Sequence, residues 1–255
     1  MNLTFGKYFT ICSLIFISPL FVWGQKSDYA KWNLKGKVKS IKESSFTVTE
    51  KNEKFEIDTL QFYYLNEFNI YGNKMVDTKF LPDGKIDKNY TYKYDKDNRR
   101  IEENQYSQDG KLLRTISYKY HPNGYLIEDN SVDGAGNPGK KITYQYDEKG
   151  NVIEDNSYNP EGNLLKKFTY KYDINGNKTV NYRYSSNGSL EKRYTYSYDY
   201  LNNLIEESSY KPDNSLLGKY IYTYEYDAQN NWIKKTTTCD GITCNIILRE
   251  IVYFK

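Results

Sequence analysis

Few residues of this chain could act as a nucleophile, base or metal ligand. The single histidine, His121, stands in His121-Pro-Asn-Gly124, where the other copies of a repeated unit carry Asp, so it reads as a substituted turn residue. The chain has no HExxH pair and no Gly-x-Ser-x-Gly elbow to give that imidazole a zinc ion or a serine to work with. Carboxylates are commoner: Glu102-Glu103, Glu128-Asp129, Glu154-Asp155 and Glu206-Glu207 recur at matching offsets. Paired carboxylates can hydrolyse glycosides, and oxygen-rich turns such as Asp173-Ile-Asn-Gly-Asn177 can bind calcium. An active site is normally built once, however, and these pairs recur unit after unit. Their expected role is cross-strand pairing with the abundant lysines, with no catalytic residue, metal site or cofactor.

Cys239 and Cys244 bracket Asp240-Gly-Ile-Thr243, whose Asp-Gly is a strong hairpin signal. Two cysteines so placed can face each other across a hairpin, and an oxidising compartment would join them. The spacing is also half of a zinc site, but a second pair of ligands is missing, so a disulfide is the expectation. The chain has 29 Tyr and 11 Phe, and aromatic faces flanked by Asn, Asp and Lys suit stacking on sugar rings. Tyr is also the only bulky residue abundant enough to build a core, so most of these rings are expected to pack. Ligand contact then falls to turn residues and outward aromatics such as Tyr125 and Tyr200.

The elements that position these residues follow from a 26-residue repeat. Tyr-x-Tyr pairs begin at Tyr92, Tyr118, Tyr144, Tyr170 and Tyr196, then at Tyr224, 28 residues later. The turn after each pair holds Asn98, Gly124, Gly150, Gly176, Asn202 and Asn230 at one offset, with Gly72 earlier in the series. A second turn holds Gly84, Gly110, Gly136, Gly162, Gly188 and Asn214. Gly and Asn tolerate positive φ best, so each site reads as the left-handed residue of a tight hairpin turn with a bulge beside it. Two turns per unit mean two antiparallel strands per unit.

In Leu164-Leu-Lys-Lys-Phe-Thr-Tyr-Lys-Tyr172, Leu164, Phe168, Tyr170 and Tyr172 alternate with Lys167, Thr169 and Lys171, so one face is aromatic and the other solvated. The partner strands carry Ile101, Ile127, Ile153, Ile205 and Ile233 near their starts and Phe80, Tyr106, Tyr158, Tyr184 and Tyr210 near their ends. These columns lie five positions apart, so either a bulge intervenes or both faces are partly apolar. The expected fold is all-β: a long antiparallel meander of roughly fourteen strands, twisted or coiled around a Tyr-rich face. Closure into a barrel and an open twisted sheet both satisfy the pattern.

Residues 1–24 carry one charge, Lys7, and an apolar run from about Tyr8 to Trp23, which reads as a cleavable secretory signal. The run is short of the roughly 20 residues a spanning helix needs, so no stable membrane span is expected after its removal. Residues 25–60 read as an N-terminal β cap, with strands Val38 to Thr49 and Phe55 to Tyr64 around Glu50-Lys-Asn-Glu53. Residues 61–238 form the hairpin repeats and 239–255 a C-terminal capping strand. The whole chain has 36 basic and 33 acidic residues with no basic cluster, which excludes electrostatic nucleic-acid binding.

The pattern Tyr-x-Tyr-Asp-x-x-Gly-Asn, whole at Tyr144 to Asn151 and Tyr170 to Asn177, resembles the YD repeat of the RHS family, and the ending is similar to small secreted Bacteroidetes repeat proteins. That resemblance covers roughly residues 62–255. It implies a hairpin array coiled into a shell or spiral on exported or surface proteins, with a loose association with carbohydrate. The chain is shorter than the large RHS toxins and has no room for their C-terminal toxin domain. The expectation is a non-catalytic, secreted or periplasmic protein that binds a polysaccharide or an envelope protein. A purely structural or assembly module is the alternative, followed by a glycan-processing enzyme.

Overall fold

A computed structural model of the chain describes residues 27–51 and 54–255. The expected signal at 1–24 lies outside the described residues, as do residues 52 and 53 of the Glu50 to Glu53 turn. A four-residue helix, α1 (Asp28–Lys31), precedes β1 (Val38–Lys51), β2 (Lys54–Phe68), β3 (Lys74–Phe80), β4 (Ile86–Tyr94), β5 (Arg100–Ser107) and β6 (Leu112–Tyr120). There follow β7 (Leu126–Asp133), β8 (Pro138–Tyr146), β9 (Val152–Tyr158), β10 (Leu164–Tyr172) and β11 (Lys178–Ser185). The last strands are β12 (Leu190–Tyr198), β13 (Leu204–Tyr210), β14 (Leu216–Tyr226), β15 (Trp232–Cys239) and β16 (Ile242–Tyr253).

Each strand pairs antiparallel with its neighbours in sequence, and β1 pairs with β16, so the sheet closes into a barrel. Closure removes the free edges that a meander would otherwise expose. Ile41 sits opposite both Asn66 of β2 and Ile251 of β16, which joins the two ends of the chain.

The turns follow from their side chains. In Asp147 to Asn151, Asp147 N–H donates to the carbonyl of Asn151 and Gly150 N–H to that of Asp147. The Asp147 carboxylate accepts from the N–H groups of Lys149 (3.0 Å) and Asn151 (2.8 Å) and from the Asn151 side chain (3.0 Å). An Asp at this position folds its own turn, which explains the recurring Asp-x-x-Gly-Asn. Gly72, Gly84, Gly110, Gly124, Gly136, Gly150, Gly162, Gly176 and Gly188 all have φ between 78° and 92°.

A register shift follows each turn from β2–β3 to β14–β15. Tyr146 pairs with Val152 while Gln145 pairs with Glu154, leaving Ile153 as an extra residue; Ile101, Ile127, Ile205 and Ile233 occupy the same place. The five-position offset between the two apolar columns is therefore a bulge. Beyond it Tyr106 shares the face of Glu102, and Tyr158, Tyr184 and Tyr210 lie under the cations of Lys141, Lys167 and Arg193.

Residues opposite one another across strands share a face, so the register traces one face round the barrel: Ile41, Asn66, Asp77, Tyr90, Gln105 and Arg114. Ion pairs on this face are buried, whereas those on the other, such as Lys42–Glu250 and Lys93–Glu102, are open to water. The first face is therefore the lumen. Its apolar core is small and lies at one mouth: Leu34, Val38, Ile41 and Phe68, flanked by Tyr29, Trp32, Ile251 and Tyr253. The luminal tyrosines do not form a dry core, since Tyr92 is buried and its counterparts on later strands are half-buried.

Candidate functional site

The segment 27–36 lies across the mouth formed by the first series of turns and plugs it. Tyr29 N–H donates to the carbonyl of Gly72 (3.0 Å). Gly72 is needed there twice over, because its φ is +80° and a Cβ would meet the Tyr29 ring at 2.7 Å. Across the opening, the Asn33 side chain donates to the carbonyl of Leu201 (2.7 Å), and the Asn231 side chain bonds both the N–H and the carbonyl of Lys35 (2.8 Å each). Asp28 anchors the near side by accepting from Lys74 N–H (2.8 Å) and the Arg100 guanidinium (2.8 Å), with the Tyr94 hydroxyl 2.9 Å away. Burial pushes the Asp28 carboxyl upward, but Arg100, the Lys74 N–H, Lys31 and Tyr94 outweigh it and hold the group below its ordinary value.

Beneath the plug is a cavity of about 350 Å³ bounded by Trp32, Glu43, Tyr64, Asn66, Asp77, Tyr90, Tyr92 and Glu103. Each carboxylate in its wall is tied to a base: Asp77 to Lys74 (3.0 Å), Glu103 to Arg100 (3.2 Å) and Glu43 to Arg249 (2.9 Å). The cations are held in turn by rings, with Lys74 Nζ 4.0 Å from the Trp32 centroid and the Arg249 guanidinium 3.3 Å from that of Trp232. Lys74 also donates to Asn66 (2.8 Å), and Tyr118 donates to Glu103 (3.0 Å).

The recurring acidic pairs divide between the two faces. Glu102, Glu154 and Glu206 point outward to Lys93 (2.7 Å), Lys167 (3.4 Å) and Lys219 (2.9 Å), the cross-strand pairing expected of them. The second members turn inward, where Glu103, Asp129 and Asp155 each accept a hydroxyl from the tyrosine 15 residues later: Tyr118, Tyr144 and Tyr170. Burial pushes the Asp129 and Asp155 carboxyls up, and these hydroxyls pull them partly back. The sequence reading missed this inward row, although the constant offset of 15 was its signal.

The other tyrosine of each pair serves the bulge. The hydroxyls of Tyr94, Tyr120, Tyr146, Tyr172 and Tyr198 donate to the carbonyls of Lys74, Arg100, Leu126, Val152 and Lys178, always 20 residues earlier and always at the register shift. A bulge locally disrupts the ladder and leaves backbone groups to be satisfied by other means. This gives a reason for Tyr over Phe at these positions.

His121 occupies the turn position of Asp: its Nδ1 accepts from Asn123 N–H (3.3 Å) and lies 2.7 Å from Asn123 Oδ1. Tyr125 is half-buried and stacked on Tyr146 with centroids 4.7 Å apart, while Tyr200 is 91% exposed at the tip of its turn. Five further hairpin turns separate them along the chain, two of them at the same mouth, and neither lines the cavity. At the other end of the barrel Cys239 and Cys244 form a disulfide with Cα atoms 5.9 Å apart. The connection is tighter than the four-residue loop read from the sequence: β15 runs to Cys239 and β16 starts at Ile242, leaving a two-residue Asp240-Gly241 turn. Cys239 pairs with Ile242, and Cys244 is the extra residue between Thr243 and Asn245.

Fold and site together define a closed antiparallel barrel with a polar lumen, plugged at one mouth by the segment that precedes its first strand. No protein-family model and no curated protein sequence matches this chain. Among solved structures it is similar in fold to a porin-like protein from Bacteroides uniformis, with a TM-score of 0.57 and 12% identity over 84% of this chain and 96% of that one. A porin-like protein from Bacteroides vulgatus overlaps at a TM-score of 0.46 and 12% identity, over 82% and 98% of the two chains. A TcdB2-TccC3 structure overlaps at a TM-score of 0.33 and 17% identity; the match takes in 80% of this chain but only 11% of that one.

Proposed function

We propose that this chain is a non-catalytic, exported barrel of the cell envelope that stands in water and binds a glycan inside its plugged lumen. The observation that carries this reading is the cavity under Trp32, where aromatic rings share the walls with carboxylates and an amide. Ring faces suit the C–H faces of sugars, and carboxylate and amide oxygens accept sugar hydroxyls. Because Glu43, Asp77 and Glu103 are each locked to a cation, they serve as fixed acceptors and not as a mobile acid–base pair.

The outer face supports the aqueous setting. A membrane-spanning barrel needs an outward apolar band about 25 Å tall. Here Lys167, Thr169 and Lys171 of β10 face outward beside Glu154 and Asn156 of β9, and Lys42–Glu250, Lys219–Glu206 and Lys234–Glu225 continue the charged surface.

A second reading, docking of an envelope protein, is favoured by one feature of the plugged rim: Ile70, Tyr71, Ile174 and Tyr200 project from its turns at 60 to 91% exposure. A glycan array probed with the exported chain and with Trp32→Ala separates the readings. Specific binding lost in Trp32→Ala supports the luminal glycan site. Silence with rim-dependent capture of one envelope protein supports the second reading, silence with self-association supports an assembly module, and turnover of a polysaccharide would overturn all three.

A further inference from the structure

The charges around the cavity are arranged asymmetrically. Its lining contains Glu43, Asp77 and Glu103 and no lysine or arginine. The bases that pair with them sit against the wall and do not line it: Lys74 on Asn66 and Trp32, Arg100 on Asp28 and the Tyr92 ring (4.2 Å), and Arg249 on Trp232 and Trp32. A ligand in the cavity therefore meets carboxylate, aromatic and amide surface.

Two further observations bear on the sign of that ligand. Asp77 Oδ1 is buried in the wall and accepts no hydrogen bond among the described residues. The hydroxyls of Tyr64, Tyr90 and Tyr92 are all harder to ionise than usual; burial is the main cause, and the charge of Asp77 adds to it at each. At these hydroxyls the carboxylates outweigh the opposing charges of Arg114 on Tyr90 and Arg100 on Tyr92, in a site ringed by four aromatic side chains. Such a ring of aromatics is what holds an organic cation by its attraction to π faces. A bare metal ion is a poorer match, because among the described residues no three His, Cys, Asp or Glu side chains converge as a metal would require. A volume near 350 Å³ is at the small end of ordinary ligand pockets and admits a short saccharide.

We infer that the luminal ligand is a cationic amino sugar, a hexosamine unit with a free protonated amine, its ring against Trp32 and its ammonium at the carboxylate of Glu103. This rests on the glycan reading above and narrows it to a charge class. The other large concavity, on the outer face around Phe46, Leu60 and Leu248, does not share the asymmetry: its lysines and glutamates pair with each other, Lys42 with Glu250 and Lys234 with Glu225 (2.8 Å each).

Calorimetry on the unaltered exported chain at pH 6 tests this, using glucosamine tetramer, N-acetylglucosamine tetramer and tetramethylammonium as probes. The expected result is that the free-amine tetramer binds at least tenfold more tightly than the acetylated one. Glu103→Gln, with its β content verified by circular dichroism, should weaken the free-amine tetramer at least fivefold and leave the acetylated one unchanged. Equal binding of the two tetramers would overturn the amine inference and leave the glycan reading standing. Binding of tetramethylammonium with neither tetramer would support the cation cage and overturn the glycan reading. Silence with all three would overturn both.

Discussion

Replacing Tyr146 with Phe deletes one oxygen and should expose what the tyrosines of this repeat are for. The Tyr146 hydroxyl donates to the Leu126 carbonyl over 2.8 Å, at the residue where the β6–β7 register shifts. Burial and the neighbouring Tyr125 push this phenol up to about 12, so it is a donor throughout the neutral range. The ring stays in Tyr146→Phe, so packing on Tyr125 is kept and the loss is confined to the bond and the carbonyl left behind. A net hydrogen bond contributes about 1 kcal/mol, and a buried acceptor left unsatisfied costs about 1–3 kcal/mol. The site is half-buried, so the expected cost is about 1–1.5 kcal/mol, or about 2–4 °C in Tm for a chain of this size. Successive tyrosines of this column stand on every second strand, roughly 10 Å apart. Tyr146→Phe and Tyr198→Phe should therefore add nearly independently, to about 2–3 kcal/mol. The control is Tyr158→Phe, on the outer face under Lys141, which should lie within about 0.5 kcal/mol of the parent. Thermal and urea unfolding followed by circular dichroism would measure all of these. A Tyr146→Phe variant no less stable than Tyr158→Phe would refute the reasoning.

Asp28→Asn should loosen the plug at a cost of about 1.5–3 kcal/mol, since it removes the shorter of the two carboxylate contacts of Arg100, which keeps Glu103; faster tryptic cleavage after Lys31 or Lys35 would report it. Acid should do the same. The folded value of Asp28 is depressed, so its contribution is complete above its ordinary value of 3.8 and is lost as pH falls through the folded value. Asp129 and Asp155 have the opposite sign: their folded values are raised, so their stabilising effect is full below 3.8 and declines as pH rises. Hydrogen exchange corrected for intrinsic rates should show segment 27–36 loosening below about pH 4 before β7 to β10 does. Gly150→Ala should cost about 1 kcal/mol or more and Gly150→Asn less, because Asn98, Asn202 and Asn230 already hold the same turn position at φ of 58 to 63°. Replacing both Cys239 and Cys244 with Ser should cost about 2 kcal/mol, toward the lower end for a short closed loop, raise exchange at the β15–β16 turn and leave ligand affinity unchanged.

The hairpins were legible because their determinants are local: an Asp that bonds its own turn, a Gly or Asn two or three residues on, and strands that alternate on either side. Closure was not, because it depends on β1 meeting β16 across more than 200 residues of sequence, and no turn or strand signal encodes that contact. Even the bulge was half visible, as two apolar columns that no period of two could reconcile. The cavity was missed for a different reason. Repetition directs attention to what recurs, whereas the cavity is built from departures: Trp32 lies outside the repeat, and Arg100 holds a place that Leu126, Val152 and Leu204 fill in other units. Lys74, Arg100 and Lys178, bases interrupting an otherwise apolar column, were the available clue. Tyr125 and Tyr200 looked exposed from their turn positions, but only Tyr200 is; Tyr125 is occupied by Tyr146.

Tryptophan fluorescence tests the luminal site most directly. The chain has three tryptophans, and from residue 25 onward only Trp32 and Trp232 remain, both facing the lumen and both against Arg249. In a Trp232→Phe variant of the exported chain, the signal comes from Trp32 alone, the ring that roofs the cavity. Titration with glucosamine tetramer should give a saturable change in that emission with the same midpoint that calorimetry finds. A tetramer that binds by calorimetry while Trp32 emission stays constant would place the ligand elsewhere and contradict the account.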